Sequence, residues 1–244
     1  FDYRERELNL CASYNSQQHQ PPNIIVAGKS KTWFMDRLLP TDCKSTDLLN
    51  GTSGNPGNFL TGPFEYKVNK TTTGVKIDLV RRDSLIRADR QYPLSLEKVF
   101  GLEKDNAVFS FVYQISNLSL IAFDFKFSTQ LDFSFPGLSS GDVRIFQGTQ
   151  SFSKPGWEFF QFQSVTRWCI EDKAGGIRLL FRTQKPFDIW CLPASTPDCT
   201  NDPSQGFSMI LSSNVKLDPS SSWKNMGKIS FRKMRKKNGD SYAI

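Results

Sequence analysis

The fold is read from Ile121-Ala122-Phe123-Asp124-Phe125-Lys126-Phe127-Ser128-Thr129-Gln130-Leu131-Asp132-Phe133-Ser134-Phe135. Odd positions are apolar except Thr129, and even positions are small or polar. A period of two over this length is the pattern of a half-buried β-strand, because successive side chains leave opposite faces. At about 3.3 Å per residue the stretch spans roughly 45–50 Å, longer than most strands. A strand of that length needs a large sheet to cover its aromatic face.

Working outward, hairpin signals recur at short intervals. Phe64–Val68 and Val75–Val80 alternate on either side of the Asn69–Gly74 turn. Leu94–Phe100 and Val108–Ile115 flank the polar turn Glu103–Asn106, and Asn117-Leu118-Ser119 leads into the long strand. Beyond the break at Gly137–Gly141, strands are expected over 159–170, 176–182, 187–192, 207–217 and 228–234. Towards the start, Phe1–Arg4 and Asn23–Ala27 read as strands, Trp33–Leu39 as one or two helical turns stopped by Pro40, and Asp42–Gly57 as loop. No segment carries three turns of helical periodicity. The expectation is an all-β chain, one large antiparallel β-sandwich domain over residues 1–244, with a basic tail from about residue 232.

Composition agrees. The 244 residues are 38% hydrophobic and include 21 Phe, which carry large burial areas into a core. No apolar run is long enough to cross a bilayer as a helix. Phe1 reads as the start of a processed or cut chain rather than a translation start, and no signal peptide is visible. The net charge of +7 permits attraction to an anionic partner.

The cysteines are Cys11, Cys43, Cys169, Cys191 and Cys199. Cys191 and Cys199 flank a Pro-rich loop and are a disulfide candidate in an oxidising compartment. With one His and no CxxC, neither a zinc site nor another metal site is expected, and no cofactor is implied.

Several segments, in order, resemble the C-terminal β-sandwich region of glycoside hydrolase family 57 α-amylases and 4-α-glucanotransferases. They are Phe1-Asp2-Tyr3-Arg4 with Asn9-Leu10, Met35-Asp36-Arg37-Leu38, and Asn58-Phe59-Leu60-Thr61-Gly62-Pro63-Phe64-Glu65-Tyr66, followed by Val75–Arg82, Leu94–Phe100 and Tyr113–Asn117. The resemblance implies a galactose-mutarotase-like supersandwich and an association with carbohydrate. Arg37 stands where that family usually has His, and Cys11–His19 replaces its Thr-Arg-Arg and Tyr-His run. His19-Gln20-Pro21 spells the first motif of the family's catalytic barrel, but it sits in a polar loop with no buried parallel strand before it.

Chemistry is harder to place. Glycoside hydrolysis needs two carboxylates at a set separation, and none is paired by this sequence. A lone His supplies neither a mutarotase-like His arrangement nor a nucleophilic triad, so no catalytic residue is assigned. Sugar binding needs an aromatic face beside hydrogen-bonding side chains. Trp33, Trp157 and Trp223, which lie in or beside loops, with Asp36, Arg37, Asp124 and Asp132, are the carbohydrate-binding candidates. Trp168 and Trp190 read as core. Lys228, Arg232, Lys233, Arg235, Lys236 and Lys237 form the densest charge cluster, which is either an anion site or an edge strand protected by lysines.

The expectation is therefore a non-catalytic carbohydrate-associated module binding α-glucan, another carbohydrate or a partner protein. The alternatives are a fragment of a family-57 enzyme and an exported surface protein binding anionic glycans. Nucleic acid is not an expected partner, and the compartment stays open between exported and cytoplasmic.

Overall fold

The quoted stretch forms a strand from Phe123 to Phe133, and β-structure dominates around it. The computed structural model describes residues 33–49, 62–87, 90–138, 140–153, 159–193 and 206–234, with Ser53 and Phe59. In chain order the elements are β1 (Trp33–Leu39), α1 (Ser45–Leu49), β2 (Glu65–Thr71), β3 (Gly74–Arg87), β4 (Arg90–Glu103), β5 (Val108–Asn117) and β6 (Phe123–Phe133). A 3-10 turn at Pro136–Leu138 follows, then β7 (Val143–Gln147), β8 (Gln150–Ser153), β9 (Phe160–Asp172), β10 (Ile177–Pro193), β11 (Phe207–Leu217) and β12 (Ser222–Lys233). All strand pairs are antiparallel, in the order β1-β6-β11-β10-β12-β5-β4-β3-β2, with β9 on β10 and β7 joining β9 to β8. The expected large antiparallel supersandwich is what forms. No described helix is long and apolar enough to cross a membrane.

The sheet folds over at β10. Ile177–Thr183 pair with β12, whereas Asp188–Pro193 pair with β11, so one strand takes two neighbours. At the switch Pro186 has no N–H to give a ladder, which the sequence reads as a break between two strands. The structure corrects that reading to one continuous strand. Asn225 of β12, fully buried, repairs the gap by accepting from the Lys185 N–H (2.9 Å) and donating to the Lys185 carbonyl (3.2 Å).

Folding the sheet back brings β1 against β4 and β5, although four strands lie between β1 and β5 in the sheet. Phe34 packs on Phe100, Phe109 and Phe111 at 4.7–5.3 Å. Phe127 of β6 sits between Tyr113 (4.9 Å) and Trp223 (5.5 Å). Phe133 meets Phe207 at 5.3 Å, and Trp168 stacks on Phe181 at 4.8 Å. Trp168 and Trp190 are buried, as expected.

Trp33–Leu39 is a strand, which corrects the helical expectation. The segment is buried on both faces. Phe34, Asp36 and Leu38 enter the main core, while Leu39 joins Cys43, Leu48, Trp190, Leu192 and Ile210 in a second cluster on the far side. Two-sided burial erases the alternation that marks a half-exposed strand. The second cluster is capped by α1, inside the stretch expected as loop. It also covers part of the polar face of β6: Lys126 donates to the Cys43 carbonyl and lies 5.3 Å from the Trp190 ring centre, and Ser128 and Gln130 are buried.

The main core holds one polar network. Lys98 of β4 pairs with Asp36 of β1 at 2.5 Å and donates to the Phe34 carbonyl at 3.2 Å. Tyr113 of β5 donates to Asp36 at 2.8 Å and lies 3.0 Å from the Thr129 hydroxyl of β6. Burial, then the Asp36 charge, raises the Tyr113 phenol well above its ordinary pKa, so it stays a donor. Of the cysteines, Cys43, Cys169 and Cys191 are free thiols. Burial is the main cause that pushes Cys43 up to about 11 and Cys169 to about 12, and it raises Cys191 further from thiolate formation. The candidate bridge Cys191–Cys199 therefore has one end as a buried free thiol, and Cys199 lies outside the described residues.

Removing one partner of a buried pair strands the other charge, at about 3–5 kcal/mol. Lys98→Met is expected to lower unfolding free energy by about that amount in urea, and Lys98→Met with Asp36→Leu to recover most of it. Iodoacetamide at pH 8 with peptide mass mapping is expected to leave Cys43, Cys169 and Cys191 unmodified until denaturant is added. Rapid labelling of Cys191 in the folded chain would contradict its burial.

Candidate carbohydrate-binding site

The rim where β1 meets β6 gathers three of the expected site residues. Trp33 opposes Leu131 and Met35 opposes Gln130, so Phe34 is an extra residue, a β-bulge with φ of +61°. That left-handed conformation is strained for a bulky residue. The bulge keeps Phe34 in the core while Trp33 stays at the edge, its ring edge-on to Phe133 at 5.3 Å and 38% exposed. The Trp33 indole N–H donates to the Asp132 carbonyl at 2.8 Å.

On the face opposite the Phe core, Arg37, Gln130, Asp132 and Ser208 form a polar cluster. Gln130 Nε2 donates to Asp132 Oδ1 at 2.8 Å, and Ser208 Oγ donates to the same oxygen at 2.7 Å. Gln130 also reaches Ser208 at 3.3 Å. Arg37 is 5% exposed, and burial lowers its pKa, with the charges of Asp132 and then Asp36 opposing that. Its Nη2 contacts the Met35 sulfur at 3.6 Å, while Nε and Nη1 make no hydrogen bond among the described residues. Gln130 Oε1 makes none either. Nε and Nη1 of Arg37 and Oε1 of Gln130 are thus enclosed polar atoms without a hydrogen bond among the described residues, the kind of group that calls for a water or a ligand hydroxyl.

The other expected residues are placed elsewhere. Asp36 points into the core, paired with Lys98, because alternation along β1 sends it to the face opposite Arg37; this corrects its assignment to a sugar site. Trp223 is corrected likewise, from a loop platform to a β12 core residue at 9% exposure on Phe127. Asp124 lies at the far end of β6, held by Arg87 at 2.9 Å in an exposed pair worth about 0–1 kcal/mol. Lys228, Arg232 and Lys233 lie on β12. Trp157, Arg235, Lys236 and Lys237 fall outside the described residues, as do His19 and the strands expected at 1–4 and 23–27. Asp36 and Asp132 lie on opposite faces of the sheet, so they do not flank one bond as glycoside hydrolysis requires. Among the described residues no cluster of His, Cys, Asp or Glu is arranged to hold a metal.

Gln130 lies with Asp132 on the polar even face of the long strand, the face that the sequence marks as the first place for a site; Ser208 carries no such signal. Ser208 comes from β11, through the Ser208–Asp132 register that no local pattern encodes.

No curated protein sequence matches the chain. Among solved structures, the 4-α-glucanotransferase of Thermococcus litoralis is similar at a TM-score of 0.59 and 15% identity, over 84% of this chain and 28% of that one. A putative aldose 1-epimerase of Escherichia coli gives 0.57 and 14%, over 86% and 80%. A galactose mutarotase-like protein of Clostridium acetobutylicum gives 0.55 and 11%, over 82% and 79%. Identities this low show the shared fold alone, and the chain spans little more than a quarter of the glucanotransferase. The family model described as α-amylase/4-α-glucanotransferase, C-terminal, matches residues 19–224. The chain thus belongs to the α-amylase/4-α-glucanotransferase C-terminal family.

Proposed function

We propose that this chain is a non-catalytic carbohydrate-binding module that holds an α-glucan at the β1–β6 rim. The observation that carries the reading is Arg37, a buried guanidinium with idle N–H groups, set beside the Gln130–Asp132–Ser208 cluster and an exposed tryptophan. Trp33 supplies an apolar face for a pyranose ring, and the enclosed Nε and Nη1 of Arg37 and Oε1 of Gln130 supply donors and an acceptor to a hydroxyl that enters the cluster. The family's association with amylases and glucanotransferases supports an α-linked glucan as the ligand. On this reading the module serves a catalytic barrel of the family-57 kind by keeping substrate nearby, so that bound chain raises local concentration.

Isothermal titration with maltoheptaose tests this. The parent chain is expected to bind saturably, Trp33→Ala about tenfold more weakly, and Trp33→Tyr in between. Trp33 is more than a third exposed but packs on Phe133, so a urea melt of each variant checks that the fold is kept. Absence of saturable heat in the parent, or equal binding by Trp33→Ala, would end the proposal.

A further inference from the structure

A second surface is written in the register of the outer face, away from the rim. Arg167 of β9 stands directly opposite Arg182 of β10, and Arg182 stands opposite Lys228 of β12. The same row continues through Ser110 of β5 and Gly101 of β4 to Lys76 of β3. Four residues along the same strands, beyond Leu180 and Ser230, Arg178 opposes Arg232. With strands about 4.8 Å apart, the row from Arg167 to Lys76 crosses five gaps, roughly 24 Å.

Two features of this row call for a ligand. Like charges directly opposite on neighbouring strands destabilise a sheet, and here two such pairs follow one another. Arg167, Arg182, Lys228 and Arg232 are all exposed, and among the described residues none of them forms a salt bridge; Arg178, by contrast, is neutralised by Glu171, and Lys76 by Asp78. The cations also run into a trough of about 260 Å³ whose lining includes Val99, Gly101, Ser110, Thr71, Lys76 and Glu103, the acid leaving this end to sugar hydroxyls. Gly101 keeps the trough open, since a Cβ there would come within 2.5 Å of Ser110 Oγ.

We infer that this row binds an anionic polysaccharide laid across the strands, its acidic groups on Arg167, Arg182 and Lys228 and one sugar in the trough. The shape and the chemistry of the row select this class of polyanion. A recessed floor with a hydroxyl at Ser110 receives a sugar, whereas a membrane surface asks for apolar side chains that protrude. No aromatic ring stands in the row, and single-stranded nucleic acid is held on aromatic platforms. Sequence reasoning found Lys228 and Arg232 as a charge cluster; Arg167 and Arg182 complete it through strand pairing.

The experiment measures binding of polygalacturonate to the chain at several salt concentrations, with single-stranded DNA and phosphatidylserine vesicles as alternative probes. Polygalacturonate is expected to bind with affinity that falls as salt rises, because bound counterions are released. Arg182→Gln with Lys228→Gln is expected to weaken it at least tenfold while raising the urea midpoint, because two like-charge contacts are gone. Gly101→Ala is expected to weaken it with the salt slope unchanged. Maltoheptaose binding at the rim is expected to be the same in the Arg182→Gln/Lys228→Gln variant, which separates this proposal from the preceding one. Unchanged polygalacturonate binding by the double variant, or tighter binding of the DNA or the vesicles, would overturn it.

Discussion

The ion pair between Asp36 and Lys98 is the constraint on which the arrangement depends. Among the described strands β1 stands at the edge of the sheet, hydrogen-bonded to β6. Its inner face is held across the sandwich by a carboxylate that meets Lys98 of β4 and Tyr113 of β5. Two buried charges inside an aromatic core are tolerated only with close pairing and further hydrogen bonds, so the pair admits one register. Once Asp36 faces inward, alternation turns Arg37 outward toward Asp132 and Gln130. The bulge at Phe34 then leaves Trp33 at the rim. The outer polar cluster is therefore positioned by an interaction on the opposite side of the strand.

Sequence reasoning reads the sandwich well and its irregularities poorly, for a physical reason. β6, β5 and β4 show their strand character because one face is more apolar than the other over many residues. β1 does not, since Asp36 and Arg37 are both buried and Leu38 and Leu39 enter two different cores. β10 reads as two strands because Pro186 breaks the local pattern, and the repair comes from Asn225, forty residues away. β7 and β8 are short and were not anticipated. Of the site, Trp33, Arg37 and Asp132 were legible as residue types in plausible places. Ser208 was not, because its role exists only through pairing of β11 with β6.

The two polar surfaces divide the chemistry of the fold. At the rim, charge is buried and partly neutralised, which suits a neutral ligand recognised by hydrogen bonds and ring contact. Across β9, β10 and β12, Arg167, Arg182, Lys228 and Arg232 are exposed and form no salt bridge among the described residues, which suits a long anionic ligand attracted through solvent. A wide antiparallel sheet with one face on the core leaves its other face free to carry such rows.

The most direct test of the account is amide and indole chemical-shift mapping during titration with maltoheptaose. The account predicts that the Trp33 indole N–H and the amides of Met35, Arg37, Gln130, Asp132 and Ser208 shift together with one dissociation constant. Shifts confined to other parts of the sheet, with the Trp33 indole unmoved at saturating sugar, would contradict it.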